Sequence, residues 1–327
     1  MKKNIALVTG GYSGEAVISY KSAITIDSNL DRQKFNVYKI DITQKGWLYE
    51  MADGRKVEVD KNDFSLHIDN EHVKFDAIFI GMHGTPGEDG KLQGYFDTLG
   101  IPYTSCDAAT SAITFNKRYT VAVARMAGVP VSNSIHIFKH TPVSAAQILD
   151  QLKLPVFVKP NNGGSSIGMS KVNKPGELEK ALSKAFKEDD QVLVEEMIKG
   201  REFTIGVFKT KGKIIPLPLT EVISKKDFFD YEAKYEGAST EVTPAQVDDV
   251  VADKIRDTAK KIYAVLNCRG VVRIDFIYNE EKGLPYMLEV NTVPGQSEAS
   301  IVPMQVKAMG WNLKEFYTKL VDEALAK

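Results

Sequence analysis

The sequence predicts a mixed chain, wound α/β at its start and α+β further on, and three observations carry that expectation. Short apolar runs closed by glycines alternate with helical stretches from the first residues onward. Apolar residues make up 43% and charged residues 26% of the chain, a balance that excludes disordered, collagenous and coiled-coil proteins. The length of 327 residues accommodates two or three domains at roughly 100–200 residues each.

The elements follow in order. Ile5 to Val8 is an apolar run closed by Thr9-Gly10-Gly11, then come a helical stretch from Ala16 to Leu30 and a second strand at Phe35 to Ile40; this is the order strand, glycine turn, helix, strand. A third run, Ala77 to Ile80, opens into the glycine-rich loop Gly81 to Gly90 and a helix starting near Lys91. Ligands of open α/β sheets lie beyond the carboxyl ends of the strands, so both glycine loops are expected to face one crevice. From about Ser105 the pattern changes to short helices around Asn116 to Ala127 and strands at Ser134 to Phe138, Val156 to Lys159 and Gln191 to Glu195. Between the last two, Leu178, Ala181, Leu182, Ala185 and Phe186 form one apolar helix face after Pro175. The final part holds strands at Glu202 to Phe208 and Ile214 to Leu219 and an irregular aromatic loop from Ser224 to Ser239. A long helix then opens on Thr243-Pro244-Ala245-Gln246, with Val247, Val251, Ile255, Ala259, Ile262 and Leu266 on one face.

Charge and cysteine usage narrow the partners. Lys and Arg number 42 against 43 Asp and Glu, leaving no basic excess to grip a polyanion, so nucleic acid is excluded as a partner. The apolar run after Met1-Lys2-Lys3 is far shorter than the roughly 7–15 residues of a secretory core, and no stretch approaches the roughly 18 of a membrane span. A cytoplasmic protein without a membrane partner is expected. Cys106 and Cys268 match no metal or redox spacing and read as idle thiols of a reducing compartment.

The densest chemistry lies in Val271 to Asn291. If a hairpin turns about Lys282, Asp275 faces Glu289 and Arg273 faces Asn291, and period-two alternation sends Ile274, Phe276, Leu288 and Val290 to the opposite face. Facing carboxylates repel, which invites a cation; with Asn291 they form a hard-oxygen set of the kind that holds Mg²⁺ together with substrate phosphates. An ordinary solvated hairpin face is the competing reading.

Val156 to Gly168 has the glycines of a phosphate loop without the G-K-[ST] ending, and reads as a hairpin flap whose backbone N–H groups close over phosphate, with Lys159 at its root. A plain glycine-rich hairpin would look the same. Gly10-Gly11-Tyr12-Ser13-Gly14-Glu15 fails the dinucleotide pattern, and Glu15 would repel a pyrophosphate while suiting an ammonium or capping the helix. His83 has no partner at metal-ligand spacing and reads as a hydrogen-bonding group near the crevice. The loop holding Phe228 to Tyr235 is long enough to be a lid or a pinned surface loop.

In this order, these segments resemble the D-alanine–D-alanine ligase family of the ATP-grasp fold. The resemblance rests on His83-Gly84 with Glu88-Asp89-Gly90-Lys91-Leu92-Gln93-Gly94, Lys159-Pro160 with Gly164-Ser165-Ser166, Tyr231-Glu232-Ala233-Lys234-Tyr235, Arg273-Ile274-Asp275, and Glu289-Val290-Asn291-Thr292 with Pro294-Gly295. It implies a Rossmann-like N-terminal domain (1–104) followed by a two-subdomain ATP-grasp fold, the smaller subdomain at 105–198 and the larger at 199–327 with a lid at 224–240.

The resemblance also implies roles. Lys117 and Lys159 would meet ATP phosphates, Glu195 and Ile198 the adenine, and Glu202 the ribose, while Lys234 would bind ATP by closing from the lid. Asp275, Glu289 and Asn291 would hold two Mg²⁺ ions, with Mn²⁺ as the substitute. Glu15 and His83 would serve the first substrate and Ser300 the carboxylate of the second, while Glu15, Ser165, Tyr235, Arg273 and the N–H of Gly295 would act in catalysis. The implied reaction is ATP-dependent ligation of two D-alanines through an acyl phosphate for peptidoglycan precursor synthesis, by a homodimer. D-lactate or D-serine as acceptor, and a nucleotide-binding regulator without turnover, are the alternatives. The chain departs from the family pattern at Gly163, at Ala16 to Ser19, and at Gln296 to Ala299 in the second-substrate pocket.

Overall fold

The computed structural model describes residues 1–141, 143–164, 166–224 and 239–326. Strand Lys3–Gly10 runs parallel to Phe35–Thr43 on one side and Ala77–Ile80 on the other, with helix Ala16–Asn29 making the first crossover. Its side chains alternate between two cores: Ile5 and Leu7 pack with Ile26 and Phe79, whereas Ala6 and Val8 pack with Ile40 and Phe96. Burial on both faces is why the strand reads as an unbroken apolar run.

Between Thr43 and Ala77 the sequence reading found nothing, yet Gly46–Glu50, Lys56–Asp60, Ser65–Ile68 and Glu71–Val73 extend this sheet to seven strands. They are short, charged and largely half-exposed, so neither an apolar run nor a clean alternation marks them.

A second, four-stranded antiparallel sheet is built from Ser170–Val172, Val156–Pro160, Gln191–Glu196 and Ser134–Phe138. Helix Leu178–Ala185 buries Leu178, Ala181, Leu182 and Ala185 against it. Val156–Pro160 and Ser170–Val172 pair antiparallel, so the glycine-rich stretch between them is the loop of a hairpin.

The third sheet has six strands, with Arg201–Thr210 between Thr220–Ser224 and Val271–Asn279, and Leu284–Asn291 on the outer side. Its long helix is Asp249–Val265, capped by Asp248, whose side chain accepts from Val250 N–H. The expected start at Thr243 is wrong because the sheet claims that segment. Ala245 N–H bonds to the Leu219 carbonyl, the hydroxyls of Thr243 and Thr220 lie 2.6 Å apart, and Arg201 donates to the Gln246 carbonyl.

Helices Ile301–Ala308 and Leu313–Leu325 return to the first sheet, where Val306, Phe316, Tyr317 and Leu320 share one core with Ile5, Leu7 and Phe79. The last part of the chain therefore has no core wholly its own. Cys106 and Cys268, remote in sequence, are buried neighbours; the hydrogen bond from Cys106 and then burial push the Cys268 thiol up, which keeps it protonated and unreactive. Among the described residues no helix is long and apolar enough to cross a membrane.

Candidate active site

A cavity of about 830 Å³ opens where the three sheets converge. Glu15 and His83 reach it from the two glycine loops of the first sheet, which touch through the Tyr12 N–H to Thr85 carbonyl bond of 2.9 Å. Lys117, Lys159, Glu195 and Ile198 line it from the second sheet and the helices beside it. Glu202, Arg273, Asp275, Glu289 and Asn291 line it from the third sheet, and Gly295 and Ser300 from the loop that follows. Every described residue to which the resemblance gave a site role thus borders one space. Ser165, Lys234, Tyr235 and the rest of the expected lid core lie outside the described residues.

The hairpin sets the centre. Arg273 faces Asn291 and Asp275 faces Glu289, but the register shifts between Asp275 and Phe276, and Phe276 then faces Met287. This bulge corrects the expected core face: Met287 is buried in the core, while Leu288 turns to line the cavity.

The cation invited by the facing carboxylates is in part Arg273 itself. Its Nε and Nη2 donate to Asp275 Oδ1 and Oδ2 at 2.9 and 2.8 Å, and Nη2 lies 3.8 Å from Glu289 Oε1. Burial opposes its charge, yet Asp275, then Glu289 and Glu88, hold the guanidinium pKa above its ordinary value. Asp275 Oδ1 also accepts from the Thr204 hydroxyl, and Oδ2 from Asn291 Nδ2 at 3.4 Å.

Lys159 and Glu195 form an ion pair of 2.5 Å, their side chains only 14% and 10% exposed, so one cation and one anion at the flap root are held by each other. Lys117 Nζ donates to the Gly163 carbonyl at 2.6 Å, tying this lysine to the flap.

Glu15 occupies the cap position of helix Ala16–Asn29, but its carboxylate makes no cap bond; the capping reading fails. The carboxylate instead lies against Gly84, where a Cβ would come within 2.6 Å of Oε2 and where φ is +66°. Only glycine lets the second loop approach so closely. Gly295 is similar, since a Cβ there would sit 2.8 Å from Ser300 Oγ.

Glu88 accepts from Gly84 N–H at 3.0 Å and faces the same space; burial, then the charge of Glu15, raise its carboxyl to about 7. His83 is driven the other way, to about 4, by burial first and then by Arg273, despite a bond to the Val293 backbone. Its Nε2 lies 2.9 Å from Ser22 Oγ.

Sequence reading gave no role to Lys21, Glu241 or Ser297, which also line the cavity. Glu241 lies on strand Ser239–Val242 at the sheet edge, and burial raises its carboxyl against the pull of Arg273. It reaches the site only through strand order, so no local signal marks it.

Among the described residues no three His, Cys, Asp or Glu side chains gather as a closed metal centre. The geometry is instead open: a cation-and-carboxylate hairpin, a glycine flap with lysines at its root and a buried carboxylate on the far wall, joined in one cavity between a wound sheet and two antiparallel sheets. These features define an ATP-grasp enzyme with an added Rossmann-like sheet.

Models of the D-ala D-ala ligase N-terminus and C-terminus match residues 4–106 and 123–322, and the chain belongs to the D-alanine–D-alanine ligase family. It is 43% identical over 324 residues to a D-alanine–D-alanine ligase of Flavobacterium johnsoniae, covering 99% of this chain and 100% of that one. Among solved structures, the VanG D-Ala:D-Ser ligase of Enterococcus faecalis aligns with a TM-score of 0.90 at 30% identity, over 99% and 100% of the two chains. The D-alanyl-alanine synthetase A of Vibrio cholerae aligns at 0.89 and 30%, over 100% and 99%.

Proposed function

We propose that this chain joins two D-alanine molecules into D-alanyl-D-alanine at the expense of ATP, through an acyl phosphate, for peptidoglycan precursor synthesis. The observation that carries the reading is the single cavity shared by the flap lysines, the Arg273 hairpin and Glu15. A carboxylate is a poor electrophile; phosphoryl transfer gives it a leaving group, and the amine of the second amino acid then attacks. Negative charge gathers on phosphoryl oxygens first and on the tetrahedral oxygen next, so fixed donors must face both positions.

In this reading Lys117 and Lys159 hold phosphates, Glu195 and Ile198 the adenine, and Glu202 the ribose. Glu15 takes the ammonium of the first D-alanine, with His83 beside it, and Ser300 the carboxylate of the second. Arg273 and the Gly295 N–H stabilise the developing anions. Ser165, Lys234 and Tyr235 complete the closed site. A division at 1–104, 105–198 and 199–327, a cytoplasmic location and a homodimer complete the proposal.

The hairpin residues suit Mg²⁺. Oδ2 of Asp275 accepts from the Asn291 amide through a long bond of 3.4 Å; turning that amide over would replace its N–H₂ by Oδ1 and free a lone pair on Asp275. Asp275, Glu289 and Asn291 then present hard oxygens that substrate phosphates complete. Bound there, Mg²⁺ would neutralise phosphoryl oxygens during transfer.

The test is ADP release with ATP and Mg²⁺ against a panel of acceptors. D-alanine is expected to give D-alanyl-D-alanine. Preference for D-lactate or D-serine at neutral pH overturns the acceptor, and nucleotide binding without amino-acid-dependent ADP release makes the chain a regulator. The D-serine arm carries weight because VanG is among the structural neighbours.

A further inference from the structure

Behind the wall of the cavity runs a buried chain of hydrogen bonds that none of the roles above uses. Tyr317 donates its hydroxyl to Gln296 Oε1 at 3.1 Å, and Gln296 N–H donates to Ser22 Oγ at 3.0 Å. Ser22 Oγ lies 2.9 Å from His83 Nε2, and His83 N–H donates to Ser19 Oγ at 2.9 Å. Gln296 Nε2 closes back on the Pro294 carbonyl at 3.2 Å. All five side chains are buried, and of them only His83 borders the cavity.

The elements joined in this way matter. Gln296 stands in the middle of the loop that carries Gly295 and Ser300. Among the described residues, the hydrogen bonds from Pro294–Ala299 to other elements run through Gln296. Ser22 sits on helix Ala16–Asn29, whose first turn presents Glu15. A serine hydroxyl has one proton to give. With its ring proton directed at the Val293 backbone, a neutral His83 presents Nε2 as the acceptor for the Ser22 proton, while the Ser22 oxygen accepts from Gln296 N–H. One hydroxyl therefore holds the wall of the first substrate's pocket and the loop of the second in fixed relation.

We propose that Ser22, Gln296 and Tyr317 are positioning residues that set the acceptor subsite by fixing the Pro294–Ser300 loop, an inference that rests on the acceptor role proposed for Ser300. Gln296 supplies the anchor with both its backbone and its side chain. Slack at Gln296 would displace Ser300 while leaving Lys117, Lys159 and Glu202 in place, because those lie on other elements.

The test is two-site D-alanine kinetics at saturating ATP, read by ADP release, for wild type, Tyr317→Phe and Ser22→Ala. Loss of one neutral hydrogen bond is expected to raise the acceptor-site KM by about five- to tenfold. For Tyr317→Phe the donor-site KM, the ATP KM and kcat are expected to stay within about twofold; in Ser22→Ala, which also releases His83 Nε2, the ATP KM and kcat are expected to do so while the donor-site KM rises less than the acceptor-site KM. The double variant is expected to fall short of the product of the two singles, since both release one loop. An unchanged acceptor KM, or an equal rise in every KM, overturns the proposal and leaves the ligase reading standing. A wild type that releases no ADP with D-alanine overturns both. The two variants lie on different helices, so if one fails to fold the other decides.

Discussion

Replacing Arg273 by Met tests whether the hairpin is an electrostatic device or a packing motif. The substitution keeps an unbranched side chain but removes both charge-assisted bonds to Asp275 and the 3.8 Å contact with Glu289. Asp275 is left with Thr204 and the long bond from Asn291. With side-chain exposures of 20% and 12%, the pair lies near the buried limit, where losing one partner destabilises by about 3–5 kcal/mol. At about 2 °C per kcal/mol for a large domain, the melting point is expected to fall by about 6–10 °C. If Mg²⁺ binds the hairpin as proposed, it supplies the missing positive charge, and a hundredfold excess over its Kd is expected to return about 2.7 kcal/mol. Turnover is expected to drop by about 10²–10³ even with the metal present, because the guanidinium proposed to stabilise the developing anions is gone. Thermal melts with and without Mg²⁺, together with ADP release, provide the readout. A variant that melts with the wild type, or whose melting point ignores Mg²⁺, would refute the electrostatic account.

Two further substitutions separate chemistry from stability. Glu289→Gln is expected to abolish turnover while changing stability by less than about 1 kcal/mol, since the side chain is 33% exposed; near-normal ADP release would remove Glu289 from the metal set. Glu88 and His83 oppose each other in pH. Glu88, raised to about 7, makes the folded state hold a proton that the unfolded chain releases, so its stabilising contribution is lost as pH rises from about 4.5 to 7. His83, lowered to about 4, makes the unfolded chain the better proton binder, so stability is lost as pH falls from about 6.5 to 4. In Glu88→Gln only the second slope remains, and urea midpoints are expected to climb with pH across that window more steeply than in wild type; parallel curves would show that Glu88 does not titrate there.

How much of this was legible in the sequence depends on whether the signal is local. Ile5 to Val8 and Ala77 to Ile80 are buried on both faces, so their apolar runs announce them. The pairing of Asp275 with Glu289 follows from period two counted back from the turn. Leu288 was misplaced because a bulge adds a residue that no alternation rule foresees. The four strands between Gly46 and Val73 are short, charged and largely half-exposed and give no pattern. Thr243 to Gln246 has the composition of a helix start, but the neighbouring strand takes its backbone groups first. Glu241 and the Ser22–Gln296–Tyr317 connection depend on contacts between segments far apart in the chain, which motif reading cannot reach.

The core shared by Ile5, Leu7 and Phe79 with Phe316, Tyr317 and Leu320 has a consequence for how the protein is made. The Phe79 and Tyr317 rings meet edge to face at 5.5 Å, and Lys314 reaches Asp31 at 3.0 Å across the same seam. During synthesis from the N-terminus, the opening sheet emerges from the ribosome early and waits with one greasy side covered only in part, by helix Ala16–Asn29, until Leu313–Leu325 has been translated. The nascent chain therefore needs shielding for longer than its first fold would suggest, and a stop codon shortly before Leu313 would strand that surface in water for good.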